Sequence, residues 1–186
     1  TYVYPESMGG GAGAFADRAG QDAVHVHTVN STNLPIEALE LEYPLLMDEY
    51  ALVPDSAGAG THRGGLGMAR QIRFLEDGTV FSARSDAHLV AAPGVAGGLA
   101  SGVTRIVRNP GTPDAEELHS KASGLVMQAG ETVRVETLGG GGYGPPAARP
   151  LALLARDLRE GKVTLAAAER DYGAAMVERA LAADRG

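Results

Sequence analysis

The chain has 186 residues, 44% of them hydrophobic and 21% charged, which suits one domain with a buried core and not a disordered segment or a coiled coil. Its formal net charge is -7 with no basic cluster, so neither nucleic acid nor an anionic membrane surface is an expected partner. The lack of cysteine excludes disulfides, thiolate metal sites and cysteine nucleophiles, and suits a reducing cytoplasm, the expected location.

No apolar run approaches the roughly 20 residues needed to span a bilayer, and no signal-peptide pattern opens the chain. Residue 1 is Thr rather than Met, which suggests a cleaved or trimmed end. An N-terminal Thr can act as a nucleophile through its own amine, but no companion base accompanies this one.

From the start, Ser7 to Asp22 reads as a loop of glycines and small residues. Ala23 to Val29 alternates Val24, Val26 and Thr28 against His25 and His27, the period of a short strand. The two histidines then share a face; they fit either part of a zinc site lacking its other ligands or an ordinary half-buried polar face. After the turn chemistry of Asn30 to Asn33, Pro35 opens the run IEALELEYP. As a helix this places Glu37, Glu40 and Tyr43 on one face; as a strand it pairs Glu40 with Glu42. The carboxylates suit acid–base or metal chemistry, and equally a solvated charged face.

A glycine-rich loop carrying Asp55, His62 and Arg63 runs to Gly67. A strand follows it, so it is neither a Walker A loop nor a dinucleotide fingerprint, both of which need a helix N-terminus at the phosphates. Leu66 to Leu75 alternates as that strand, Glu76-Asp77-Gly78 signals a hairpin, and Thr79 to Arg84 is the expected returning strand. Short strands are also expected at Val103 to Val107, at Gly124 to Met127 and around Val133 and Val135.

The stretch Glu131 to Pro146, ETVRVETLGGGGYGPP, then couples a strand to four consecutive glycines. Such a run puts bare backbone in a crowded or sharply turned place. Beyond it, Leu151, Leu154 and Leu158 recur at helical spacing up to Gly161. A second helix starts at Thr164 as N-cap and ends before Gly173, and Ala174 to Ala183 continues as an alanine-rich helix. The expected class is α+β: residues 1–146 form a β-rich body of short, mostly antiparallel strands and glycine-rich loops, and residues 147–186 a helical tail.

Three segments in order, HTVNSTNLPIEALELEYP (His27 to Pro44), DSAGAGTHRGGLG (Asp55 to Gly67) and SKASGLVMQAGETVRVETLGGGGYG (Ser120 to Gly144), resemble the C-terminal part of the hydantoinase B / 5-oxoprolinase family. That family also holds the large subunits of acetone and acetophenone carboxylases. The resemblance implies one portion of an ATP-dependent enzyme that opens a cyclic amide or carboxylates a ketone, or else a non-catalytic segment completing a partner chain.

It further implies ATP and Mg²⁺ used through a hydantoinase A-type ATPase partner, and a chain supplying the N-terminal part of the fold. A divalent metal belongs to that N-terminal part, whose metal-binding segment has no counterpart here, so this chain is expected to bind no cofactor alone. Site residues carried over are Asn30, Asn33 and Glu37, from the matched Asn-x-x-Asn-x-Pro-x-Glu, and Arg63, from Arg-Gly-Gly-x-Gly. The amides and Arg63 would hold carbonyl or phosphoryl oxygens, with Glu37 as base or orienting group. Alternatively these residues only fix loops, Arg63 pairing with a carboxylate such as Asp55 or Asp86. The chain departs from the family after Asp86, where alanines stand in place of larger residues, and beside the glycine run, where Leu138 and Pro145 stand.

Overall fold

The computed structural model describes residues 2–26, 31, 32 and 34–183. The stretch after Pro35 takes the helical alternative: α1 spans Ile36–Glu42 and buries Leu39. It leads into β1 (Leu45–Leu52), which the sequence pattern did not announce. A register shift between Met47 and Glu49 marks a bulge in its pairing with β2. The further strands are β2 (Met68–Phe74), β3 (Thr79–Phe81), β4 (Arg105–Arg108), β5 (Glu116–Glu117), β6 (Leu125–Met127) and β7 (Thr132–Glu136). Five of them form an antiparallel sheet in the order β1-β2-β7-β4-β5, and β3 pairs with β6 alone.

The hairpin expected after Leu75 is therefore corrected. Residues 76–78 do turn, with Gly78 at φ 80°, but β3 leaves β2 and pairs with β6, Val80 opposite Val126. The strand expected over Ala23 to Val29 is reduced, in its described part, to a single bridge between Gly10 and Val24; His27 lies outside the described residues.

The two faces of the sheet differ in chemistry. Leu45, Ile72, Phe74, Ile106 and Val133 lie on one face and build a core with Leu39, Leu118 and Met127. Phe81 of β3 meets Phe74 edge-on at 6.3 Å between ring centres. The other face carries an ion ladder: Asp48 with Arg73 (2.7 Å), Glu49 with Arg134, and Glu117 with Arg105 (3.1 Å).

After a 3₁₀ turn at Pro146–Ala148 come α2 (Leu151–Arg159), α3 (Leu165–Tyr172) and α4 (Ala174–Ala183). Thr164 caps α3 by accepting from the Ala167 N–H at 3.2 Å, as its sequence position implies. The three helices form a second core around Leu154, Ala168, Val177 and Ala180, and this core takes in Ala59 of the glycine-rich loop. The helical segment is thus packed onto the body. No helix among the described residues is long and apolar enough to cross a membrane.

Candidate functional site

Glycine-rich segments from four parts of the chain meet at Gly139–Gly142. Gly58 donates to the Gly140 carbonyl (2.9 Å), Ala14 to Gly141 (2.9 Å) and Val95 to Gly142 (2.9 Å), while Gly140 donates to Gly65 (2.8 Å). A Cβ on Gly139 would collide with the carbonyl oxygen of Ser56, on Gly140 with that of Ala12, on Gly141 with that of Pro93, and on Gly142 with that of Ala59. Gly139 and Gly142 face the same neighbouring segment, so the pattern repeats every three residues. Three is the period of a polyproline-II backbone, which makes no hydrogen bonds to itself, and here the Gly140 and Gly142 N–H groups bond to Gly65 and Leu99 of neighbouring segments. Four glycines in a row are needed because this backbone is surrounded on all three faces. Of the two alternatives the sequence allowed, the run occupies the crowded place: it is the centre of a bundle of backbones.

Arg63, expected in the active site, lies beneath this bundle with 5% of its side chain exposed. It donates to Asp22 (3.1 Å), to Asp157 (3.4 Å) and to the Gly64 carbonyl (2.5 Å). A carboxylate does hold it, as the loop-fixing alternative required, but the partners are Asp22 and Asp157 and not Asp55 or Asp86. Asp55 instead accepts from the N–H and hydroxyl of Thr164, both at 2.7 Å, and so ties the loop to the start of α3.

Arg149, 1% exposed, pairs with the fully buried Asp157 and donates to the Thr61 carbonyl at 3.3 Å. Lys162 reaches Asp22 (3.4 Å) and Glu160 (2.9 Å). Three cations thus face three carboxylates, which is what lets charges be buried here. Burial pushes the Asp22 carboxyl up, but the Leu66 N–H and the Arg63 charge outweigh it and hold the group below its ordinary range. Burial raises the Tyr172 hydroxyl. This network locks the helices to the glycine bundle, and its guanidinium groups face protein carboxylates.

Glu37 sits exposed in the first turn of α1, where a negative charge also complements the helix dipole. Asn30 and Asn33 lie outside the described residues, so the geometry of the matched Asn-x-x-Asn-x-Pro-x-Glu is given by Glu37 alone. Glu40, on the same helix, accepts from the Met47 N–H at 2.9 Å and so braces the α1–β1 turn. The structure therefore does not gather Glu37 and Arg63 into one described cluster. Nor does any group of three or more His, Asp or Glu among the described residues form a metal site.

A feature that sequence reasoning missed is the open cleft over the apolar sheet face, about 1360 Å³ in volume. In its wall Arg70 is 1% exposed, pairs with Glu6, and lies 4.2 Å from the centre of the Tyr50 ring. Burial lowers the Arg70 pKa and raises that of Tyr4. The available signal was Arg70 itself, a charge placed in step with the inward-facing Met68, Ile72 and Phe74.

Residues 1–146 match the family described as Hydantoinase B/oxoprolinase. The chain is 33% identical, over 178 residues, to a putative D-/L-hydantoinase polypeptide of Pseudomonas sp. strain NS671, covering 95% of this chain and 30% of that protein. Its fold is similar to the crystal structure of ATP-dependent caprolactamase from Pseudomonas jessenii, with a TM-score of 0.76 and 30% identity, covering 96% of this chain and 32% of that one. It is similar in fold to acetone carboxylase in its nucleotide-free structure, with a TM-score of 0.77 at 19% identity, covering 95% and 29% of the two chains. The chain therefore spans under a third of the length of these relatives. The ordered motifs, the fold and these likenesses agree: the chain belongs to the hydantoinase B/oxoprolinase family.

Proposed function

We propose that the chain is the C-terminal portion, or a small subunit, of an ATP-dependent amidohydrolase of the hydantoinase/oxoprolinase type that opens a cyclic amide. The observation that carries this reading is the 30% identity over 96% of the chain to an enzyme named for a cyclic amide, caprolactam. The likeness to acetone carboxylase, at 19% identity, is one of fold, so carboxylation of a ketone is the lesser reading.

Amide resonance makes the carbonyl carbon a poor electrophile, and phosphorylating the amide oxygen activates that carbon towards attack by water, after which the C–N bond of the ring can break; ATP and Mg²⁺ would act through a hydantoinase A-type ATPase partner. A divalent metal would belong to the N-terminal part of the fold, supplied outside these residues. Glu37, exposed and free to reach a bound molecule, is assigned as base or orienting group, with the Asn30 and Asn33 amides holding carbonyl or phosphoryl oxygens. Arg63 is assigned as a positioning residue, because its donors already face Asp22, Asp157 and the Gly64 carbonyl. That same burial favours a second reading, a non-catalytic segment that completes a partner chain.

Co-purification separates the two readings when combined with turnover. The enzyme reading expects the chain to co-purify with an ATPase chain and a metal-bearing chain, in a complex that hydrolyses ATP when a cyclic amide is added. A lone, stable monomer would remove both enzyme readings. A complex whose turnover is unchanged by Glu37→Gln would leave the scaffold reading.

A further inference from the structure

We infer that the cleft over the apolar sheet face is the seat of another part of the hydantoinase B-type unit. Its occupant would be a polypeptide segment from outside these 186 residues, apolar along one side and carrying hydrogen-bond acceptors where it meets Arg70. The inference rests on the reading of this chain as one portion of a larger enzyme and names the surface by which it joins the rest.

Four observations point to this occupant. The cleft, about 1360 Å³, exceeds the ~300–1,000 Å³ that small-ligand pockets take up. Its lining includes Ile72 and Val135, apolar side chains of the central sheet that stay half-buried, beside Phe74, Ile106 and Val133, which the core already closes off. At the rim, Val3 is 80% exposed and Val80 62% exposed, as residues of an interface edge would be before assembly.

The fourth observation is polar. In the same cleft wall Tyr4 Oη, His25 Nε2, and Arg70 Nε and Nη2 have no hydrogen-bond partner among the described residues. Buried polar groups are ordinarily paired, and a guanidinium with idle donors is costly to leave so. A peptide carbonyl or a side-chain carboxylate on the incoming segment, after a small shift of this wall, supplies the missing acceptor, and a carboxylate would meet the Nε–Nη2 edge as a fork. The relatives have chain to spare for this role, since these residues align to only 30% of the hydantoinase polypeptide and 32% of the caprolactamase chain.

The test uses the assembled enzyme, with these residues co-expressed as a separate polypeptide alongside the remainder of their own hydantoinase B-type unit. Val3→Arg and Val80→Arg put a charge on the cleft rim at exposed positions; Leu89→Arg, 93% exposed and outside the cleft, is the control. Circular dichroism of each purified variant checks its fold, and two rim variants guard against one failing to fold. Both rim variants are expected to weaken association at least tenfold, with the control unchanged. Wild-type affinity in both rim variants would overturn the inference. So would equal weakening by Leu89→Arg, no association of the unsubstituted pieces, or a structure of the assembled enzyme with a small molecule in the cleft. Association is read without ATP or substrate, so an inactive but associating complex defeats the proposed activity and leaves this inference standing.

Discussion

Replacing Asp157 by Asn tests the network that locks the helices to the glycine bundle. Asp157 is fully buried, accepting from Arg149 and, at 3.4 Å, from Arg63. The amide keeps the shape and removes the charge. Arg63 retains Asp22 at 3.1 Å, but Arg149 loses its carboxylate and is left with the Thr61 carbonyl at 3.3 Å and the Tyr172 ring, 5.8 Å from its guanidinium, neither of which carries a negative charge. Stripping one partner from a buried ion pair costs about 3–5 kcal/mol because the other charge stays buried without compensation. Against a domain stability of ~5–15 kcal/mol this is a large fraction. At about 2–4 °C per kcal/mol for a domain of this size, Tm should fall by roughly 6–20 °C.

The assay is thermal and urea unfolding followed by far-UV circular dichroism, since the chain has no Trp. A double variant, Asp157→Leu with Arg149→Met, should recover much of the loss, because an apolar pair of similar volume is no worse than a buried ion pair. A loss below about 1 kcal/mol in Asp157→Asn, the range of surface ion pairs, would refute the reasoning.

Two other outcomes concern the same scaffold. Gly140→Ala should destabilise by the upper part of the ~1–3 kcal/mol range of overpacking, since its Cβ meets the Ala12 backbone and not a movable side chain. Gly13→Ala, whose Cβ would meet nothing, should change stability by no more than about 1 kcal/mol; equal effects in urea unfolding would count against the bundle account. Asp22 has a folded-state pKa below its unfolded value, so its contribution is present above the unfolded pKa, about 4, and is lost as pH falls through the folded one. Urea unfolding from pH 6 down to 2 should show a smaller acid loss in Asp22→Asn than in the parent protein, and parallel curves would contradict the assignment.

How far the sequence announced the structure depended on how local each signal was. The helices α2 to α4 were legible because Leu151, Leu154 and Leu158 repeat at helical spacing and Thr164 supplies its own cap. β7 was legible because Val133 and Val135 alternate beside polar neighbours. β1 was not, since apolar Leu46, Tyr50 and Leu52 stand at its exposed positions and Glu49 at a half-buried one, so polarity does not alternate with burial. The partner of β3 was missed for another reason: a turn at Gly78 says that the chain reverses, not which strand receives it. Arg63 was found as a motif residue, but its partners Asp22 and Asp157 lie 41 and 94 positions away, a distance no local pattern spans. The glycine run announced a crowded backbone, yet its repeat of three emerged only when Ser56, Ala12, Pro93 and Ala59 were seen around it. Of the four matched site residues, Glu37 and Arg63 fall among the described residues, one exposed and one buried.

The most direct measurement is ATP hydrolysis by the assembled complex, followed as phosphate release with hydantoin, 5-oxoproline, a lactam, or a ketone plus bicarbonate. The proposed function expects turnover that depends on one of the cyclic amides, and loss of that turnover in Glu37→Gln with the complex still assembled. Turnover driven by a ketone with bicarbonate and by none of the cyclic amides would contradict it.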